Sequence, residues 1–201
     1  MKTLVLKKND IDRACDILNR NGILSFPTDT VFGLAVRYDR VEAIENLRIV
    51  KQRPEDKPFA LMVSSLEMIE TLAVLNNRDK ELIRVCLPGD ITLIFNKKED
   101  VKDGYFKESK TIAFRIPNDD FILPLIHKLN CALLVPSANL SGEEACISSD
   151  EVYNVFNQKI EGIVEGITEK ELTSAMTFTR DAENIPADES AVDSRKATPK
   201  V

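Results

Sequence analysis

Short apolar runs alternate with amphipathic stretches along most of this chain. The apolar runs, which are typical of buried strands, occur at 23–26, 59–63, 91–96, 111–116, 132–135, 160–165 and 175–179. Some of them follow one another with no helical pattern between them, so not every pair of strands is joined by a helical crossover. We therefore predict an α/β fold in which helices cover a mixed sheet.

Helix starts are indicated by apolar periodicity and by capping patterns. The first amphipathic pattern has apolar residues at i, i+3, i+4 and i+7, namely Ile11, Ala14, Cys15 and Leu18. Asn9 is its candidate N-cap, and Gly22 follows its end. Capping-box patterns, in which a glutamate comes three residues after a polar residue, predict further helices after Asp39, Ser64 and Ser148.

Composition excludes several classes of protein. The 201 residues are 43% hydrophobic, which suits one domain with a substantial core. A net charge of −6 argues against a protein that coats nucleic acid by bulk positive charge, so any polyanion contact should be local. No run approaches 18 apolar residues, and we expect a cytoplasmic protein without a membrane span. The four cysteines are scattered, and the single histidine, His127, lies in an amphipathic helical pattern, so neither a zinc site nor a histidine-dependent hydrolase is expected.

A pair of cations marks the stretch KQRPEDK, residues 51–57. Pro54 disfavours helical geometry at Arg53, so the preceding helix should end near Gln52 and the chain should then extend. Residues two apart share one side of an extended chain, which allows Lys51 and Arg53 to converge on one ligand. The alternative is that cations simply favour the negative end of a helix. We expect both side chains to be exposed, so that alanine in either place changes folding little.

Two further polar pairs are associated with predicted strands. Ser137 and Asn139 lie just beyond the strand 132–135, where open α/β sheets bind ligands, although a turn with local side-chain bonds is the alternative. Thr111 and Arg115 are four residues apart and share one face of a strand that is otherwise apolar. An arginine on a buried face needs an anionic partner, and an internal carboxylate can be that partner.

The stretch SFPTDTVFGL, residues 25–34, ends a hydrophobic run with hydroxyls and one carboxylate. A turn alone would account for such residues. Together with VKQRPEDKP, LPGDITLIF, TIAFRIP and VPSANLSG, however, this stretch resembles the YrdC-like family of threonylcarbamoyl-adenylate synthases in motif order and spacing. The resemblance covers about residues 10 to 180.

The resemblance implies a fold and a reaction. The fold would be a twisted, open mixed sheet with a concave, positively charged cleft, forming a single catalytic domain over residues 1–180 with a polar tail at 181–201. The reaction would join L-threonine, bicarbonate and ATP into threonylcarbamoyl-adenylate and pyrophosphate, as a nucleotidyltransferase that serves threonylcarbamoyladenosine modification of tRNA. Mg²⁺ would be held mainly through the ATP phosphates, with no organic cofactor. The product would pass to downstream tRNA threonylcarbamoyl-transfer machinery.

The resemblance also implies roles for individual residues. The catalytic residues would be Lys51 and Arg53. The ATP-binding residues would be Arg53, Lys57, Thr111, Ser137 and Asn139. The threonine-binding residues would be Thr28, Thr30, Arg115 and Thr177, and no side chain is implied as a metal ligand.

This chain departs from the family pattern near the implied cleft. Leu87 and Asp90 stand where many relatives have the Trp and the final Pro of Trp-Pro-Gly-Pro, so the cleft loses an aromatic ring and gains a negative charge. Met176 precedes Thr177 where a serine is usual. Two alternatives remain open: a non-catalytic RNA-binding module with the same fold, which would bind by shape and phosphate contacts, and a relative with another, unassigned reaction.

Overall fold

The computed structural model describes residues 2–52, 59–101, 104–106 and 108–168, together with the backbone of 176–179. Within these ranges the strands are β1 (Leu4–Leu6), β2 (Leu24–Pro27), β3 (Phe32–Arg37), β4 (Leu61–Met62), β5 (Ile91–Asn96), β6 (Thr111–Arg115), β7 (Leu133–Leu134), β8 (Gly162–Val164) and β9 (Met176–Thr179). The helices are α1 (Ile11–Asn19), α2 (Val41–Lys51), α3 (Leu66–Leu72), α4 (Asn77–Cys86), α5 (Ile122–Leu129) and α6 (Ser149–Phe156), with a 3-10 turn at Gly104–Phe106.

The strands form one sheet in the order β1-β8-β2-β3-β7-β4-β6-β5-β9. The pairs β1–β8, β8–β2, β4–β6 and β5–β9 are parallel. The pairs β2–β3, β3–β7, β7–β4 and β6–β5 are antiparallel. The predicted mixed sheet is therefore confirmed.

Strand β3 joins the two halves of the sheet. Its first residues pair with β2, and its last two pair with β7. Successive side chains of a strand point to opposite faces, and β3 follows this rule: Leu34 and Val36 lie in one buried cluster, whereas Ala35 lies in the other. Both faces of β3 are thus covered, as expected for a sheet between helical layers.

Helices pack on both faces, as predicted. Helices α1 and α5 contribute Ala14, Leu18, Ile122, Leu125 and Ile126 to the cluster that contains Phe26. Helices α2, α3, α4 and α6 contribute Ala43, Leu47, Ile69, Ile83 and Phe156 to the larger cluster on the other side. The apolar periodicity of α1 is therefore explained by packing against α5 and the sheet.

Of the four predicted helix caps, one is confirmed and three were wrong. Ser148 is confirmed: its hydroxyl accepts the Glu151 N–H at 3.2 Å. Asn9 was wrong, because the N-cap of α1 is Asp10, and Ser64 was wrong by one residue, because Ser65 caps α3. Asp39 was also wrong: the N-cap of α2 is Arg40, and the Asp39 carboxylate accepts both donors of the Arg37 fork instead.

Three elements were not predicted. Strand β1 is only three residues long, and β3 was hidden because its first residues follow the polar turn directly. Helix α4 begins with a capping box formed by Asn76 and Asp79, in which aspartate takes the place that the glutamate pattern requires. The predicted end of α2 is confirmed, since Gln52 is its left-handed C-cap.

His127 lies on the exposed side of α5, away from the apolar face that packs on α1. All four cysteines are free thiols. Among the described helices, none combines the length and the apolar character that crossing a bilayer requires.

Candidate functional site

A small cavity lies where several strands end. Its volume is ≈ 160 Å³. The turn after β2, the start of β3, the last residues of β4 and β6, and the segment after β7 each contribute to its wall. The lining residues are Thr28, Thr30, Val31, Phe32, Gly33, Met62, Arg115, Val135, Pro136 and Ser137. Four of the residues implied by the family resemblance, Thr28, Thr30, Arg115 and Ser137, are therefore brought together.

The Thr28–Thr30 turn forms one wall of the cavity. The Thr28 hydroxyl donates to the Val31 carbonyl at 2.6 Å and accepts the backbone N–H groups of Thr30 and Val31 at 3.2 and 3.3 Å. The hydroxyls of Thr28 and Thr30 are 3.2 Å apart. Turn chemistry thus explains Thr28 in structural terms, while the same turn places both hydroxyls at the cavity.

Gly33 allows the segment after β7 to lie against the start of β3. A Cβ atom on Gly33 would be 2.5 Å from Val135 Cγ1, a distance that no real side chain tolerates. The close approach is fixed by backbone hydrogen bonds from Leu34 N–H to the Pro136 carbonyl at 2.8 Å and from Ala138 N–H to the Phe32 carbonyl at 2.6 Å. Gly33 was not among the predicted site residues, although a glycine inside a strand is a recognised sign of close backbone approach.

Lys51 is not an exposed cation at a helix end. It is only 1% exposed. Its ammonium donates to the carbonyls of Ser137 and Asn139 at 2.5 and 2.7 Å, and to Asn139 Oδ1 at 3.1 Å. The expectation that Lys51→Ala leaves folding unchanged was therefore wrong, because a buried ammonium that satisfies three oxygens is part of the fold.

Ser137 and Asn139 face each other in the loop that Lys51 holds, which we call the S-x-N loop (residues 137–139). Ser137 Oγ lies 2.6 Å from Asn139 Oδ1, so the prediction that the two side chains converge is confirmed in geometry. The Asn139 amide group donates to the carbonyls of Leu140 and Glu143 at 2.9 and 2.8 Å. The alternative, a turn held by local side-chain bonds, is thus also present.

Arg115 is buried at the end of β6 with two carboxylates beside it. Its side chain is 9% exposed. Its Nη2 atom forms a very short ion pair with Asp29 Oδ2 and lies 3.2 Å from Asp90 Oδ1. The predicted internal carboxylate partner of Arg115 is therefore confirmed, and there are two such carboxylates. Asp90, the residue that departs from the family pattern, is one of the two.

Burial opposes the charge on Asp29. Burial and, next in size, a hydrogen bond with Asp90 raise the pKa of the Asp29 carboxyl to about 6, and Arg115 only partly offsets these two effects. The same hydrogen bond lowers the pKa of Asp90, which is more exposed to solvent. Of the two acids, Asp29 is therefore the one that carries a proton in mildly acidic solution.

The other implied site residues lie elsewhere or outside the described residues. Thr111 is exposed at the first position of β6, about 13 Å along the strand from Arg115, and does not line the cavity. Thr177 lies in β9 opposite Thr92, two strands from β6, and its side chain is not among the described ones. Arg53 and Lys57 are outside the described residues, so their roles and the positive charge of the cleft stay predictions.

The buried ammonium gives a stability prediction. Lys51→Met keeps the aliphatic stem but removes the donors to the S-x-N loop, so we expect the free energy of unfolding to fall by about 1.5–3 kcal/mol. Urea unfolding of parent and variant measures this change. The matched control is Lys128→Met, which removes an exposed ammonium paired with Asp12 and should change stability little. Equal effects of the two substitutions would contradict the structural role of Lys51.

Asp29 gives a pH prediction. Its pKa in the fold, about 6, exceeds its ordinary value of 3.8, so between these values the folded chain holds more protons than the unfolded chain. The contribution of Asp29 to stability must then decrease as pH rises through this window. Urea unfolding at several pH values gives the free energy of unfolding of the parent and of Asp29→Asn. The parent value minus the variant value should decrease from about pH 4 to 6.5.

The control for this titration is Asp39→Asn. Hydrogen bonds from Arg37 lower the pKa of Asp39, so its titration lies at more acidic pH. The difference in free energy of unfolding between the parent and Asp39→Asn should therefore stay constant above about pH 5. Parallel pH profiles for the parent and Asp29→Asn would contradict the raised pKa of Asp29.

Comparisons with known proteins find relatives that are similar in sequence. The chain is 31% identical over 165 residues to the threonylcarbamoyl-AMP synthase of Bacillus subtilis, covering 80% of this chain and 48% of the relative. It is 30% identical over 156 residues to the threonylcarbamoyl-AMP synthase of Psychromonas ingrahamii, covering 76% and 82%. The chain thus spans about half the length of the Bacillus relative.

A solved structure and a family model extend the comparison. The structure is similar to that of P. abyssi Sua5 complexed with L-threonine, with a TM-score of 0.80 and 26% identity, covering 90% of this chain and 54% of that one. The family model of Sua5, YciO and YrdC, described as telomere recombination, matches residues 16–181. Strands β2 to β9, the cavity and the Arg115 cluster all lie within that matched range, and the chain belongs to the Sua5/YciO/YrdC family.

Proposed function

We propose that this chain is an L-threonylcarbamoyladenylate synthase, a nucleotidyltransferase that uses L-threonine, bicarbonate and ATP. The observation that carries the proposal is the buried Arg115 guanidinium at a cavity lined by the Thr28–Thr30 turn. A guanidinium with adjacent hydroxyls matches the carboxylate and the side-chain hydroxyl of threonine. Relatives named threonylcarbamoyl-AMP synthase support the same reaction.

The size of the cavity supports an amino acid rather than a nucleotide at this place. A volume of ≈ 160 Å³ corresponds to about five water molecules, which is near the size of threonine. Sites for larger ligands are usually at least about 300 Å³. ATP would therefore lie mostly beyond the cavity, on the side of the S-x-N loop.

We propose that the ATP phosphates contact Arg53 and Lys57, and that Ser137 and Asn139 contact the nucleotide. Lys51 would act on the reaction chiefly as a positioning residue, because its ammonium donates to the S-x-N loop. Its direct catalytic role, which the family resemblance implies, requires it to exchange one of these contacts for a phosphate. Thr111 and Thr177 remain proposed contacts to ATP and threonine, respectively.

The chemistry does not need a strong general base. The threonine amine and bicarbonate form a carbamate and water, and a carbamate oxygen attacks the α-phosphorus of ATP. A bond to the α-phosphorus forms as the bond to the β-phosphate oxygen breaks, and pyrophosphate leaves. The main barriers are the approach of two anions and the charge on the leaving group, which positioned cations offset.

Mg²⁺ would bind together with ATP. Within the described residues no group of three or more His, Cys, Asp or Glu side chains is arranged to hold a metal ion. The carboxylates of Asp29 and Asp90 contact Arg115, which lines the cavity. Mg²⁺ would therefore be held mainly by the phosphate oxygens of ATP. In that position the ion would neutralise charge on the transferred group.

The product would serve tRNA modification in the cytoplasm. A threonylcarbamoyl-adenylate is an activated, hydrolysable mixed anhydride, so it requires a downstream transferase that takes it to tRNA. Direct contact between this chain and tRNA would be local, because the net charge is −6.

The reaction makes a direct prediction about substrates. Pyrophosphate should form only when ATP, L-threonine and bicarbonate are all present. L-serine, which lacks the methyl group, should be a poorer substrate by about tenfold to two-hundredfold in kcat/KM, the usual effect of one such group. A coupled pyrophosphate assay with each substrate omitted in turn measures both effects. Pyrophosphate release at the same rate without an amino acid would refute the proposed chemistry.

Arg53 distinguishes the enzyme from an RNA-binding module. If Arg53 binds phosphate of ATP, Arg53→Ala should weaken ATP binding and lower adenylate formation by roughly tenfold to a thousandfold. Calorimetric titration of ATP measures the binding. The matched control is Arg78→Ala, at an exposed position of α4, which should leave ATP binding unchanged.

An RNA-binding module would give the opposite pattern. The parent would not bind ATP, and Arg53→Ala would reduce the salt dependence of RNA binding by roughly one unit in the log–log slope. ATP binding and turnover equal to the parent in Arg53→Ala would refute the assignment of Arg53 to the phosphates.

A further inference from the structure

The guanidinium of Arg115 is bonded unevenly. Two carboxylate oxygens, Asp29 Oδ2 and Asp90 Oδ1, both contact the same nitrogen, Nη2. The Nε atom is buried and has no hydrogen-bond partner among the residues that the structure describes. Nη2 carries two N–H bonds and can donate one to each acceptor, whereas the single N–H of Nε donates to none.

The Nε and Nη2 groups form one edge of a guanidinium, with two parallel N–H bonds directed to the same side. A single carboxylate bonds this edge with both of its oxygens, which is the strongest arrangement available to arginine. The two protein carboxylates do not use the edge in this way, because both lie at Nη2. The edge thus retains an unused donor in a side chain that lines the cavity.

The two acids are held differently. The Asp29 side chain is 19% exposed and forms the shorter contact, whereas the Asp90 side chain is 54% exposed and lies 3.2 Å from Nη2. A half-exposed carboxylate regains its hydration when it leaves, so moving Asp90 costs less than moving Asp29. Asp90 is consequently the acid that can be exchanged.

Charge gives a second reason for exchange. Arg115 already has two carboxylates beside it, so an incoming ligand carboxylate would be the third acid around one cation. Like charges in a partly buried site disfavour one another strongly. A ligand carboxylate is therefore accommodated only if one of the two protein acids moves away or is neutralised.

We propose that Asp90 is a specificity-determining residue that competes with the carboxylate of the amino-acid ligand for the Nε–Nη2 edge of Arg115. In the ligand-bound protein the substrate carboxylate bonds Nε and Nη2 together, Asp90 turns into solvent and Asp29 stays in place. The inference rests on the proposed amino-acid site and adds to it: the affinity for the ligand is set by a carboxylate of the protein that must first be displaced.

Calorimetric titration of two probes tests this competition. L-threonine carries the carboxylate, and L-threoninol has an alcohol in its place. For Asp90→Asn, which keeps the shape but removes the charge, we expect L-threonine to bind about threefold to tenfold more tightly than to the parent. L-threoninol should bind equally to parent and variant. Asp90→Ala, which removes every acceptor, should tighten L-threonine binding at least as much.

The matched control is Asp100→Asn, which makes the same change of net charge at an exposed residue elsewhere. It should leave the binding of L-threonine unchanged. Equal or weaker binding of L-threonine to both Asp90 variants, with binding to the parent intact, would overturn the competition and leave the proposed function standing. Equal tightening of both probes would also overturn it, because the gain would not arise at the carboxylate. Absence of L-threonine binding in the parent and in all variants would overturn the proposed substrate together with this inference.

Discussion

The candidate site depends on a buried ammonium group. Lys51, the last residue of α2, donates to two carbonyls and one amide oxygen of the S-x-N loop. A cation in a dry interior is stable only when its donors are satisfied, so the helix end and the loop specify each other. The loop in turn lies against the start of β3, where Gly33 leaves room for it. One wall of the cavity is therefore a consequence of how Lys51 is buried.

The lining residue Arg115 belongs to a cluster of charges that come from three separate segments. Asp29 belongs to the turn after β2, Asp90 to the loop before β5, and Arg115 to the end of β6. None of these groups is close to another along the chain, so the cluster exists only in the folded protein. Its arginine lies beside two acids of unequal exposure, and this difference is the basis for the proposed exchange of Asp90.

Sequence patterns predicted the elements whose signal is local. The apolar runs identified β2, β5 and β6, and Pro54 correctly indicated the end of α2. The patterns did not show that Lys51 is buried, because its acceptors lie 86 and 88 residues away. An anionic partner for Arg115 was predicted from the cost of burying a cation, but which acids supply it depends on tertiary contacts between distant turns. Strand β3 was hidden because polar turn residues directly precede it.

The position of β8 has a consequence for how the chain folds. Strand β8 lies between β1 and β2 and pairs in parallel with both, so Leu4 and Leu24 share the partner Gly162. About 135 residues must be synthesised after β2 before this partner exists, which takes roughly 7–27 s at ribosomal rates. During that time one edge of β2 has no strand to pair with, and unpaired edges promote association between chains. Completion of this part of the sheet is consequently a late, long-range event, in which loop-closure entropy opposes the final strand insertion.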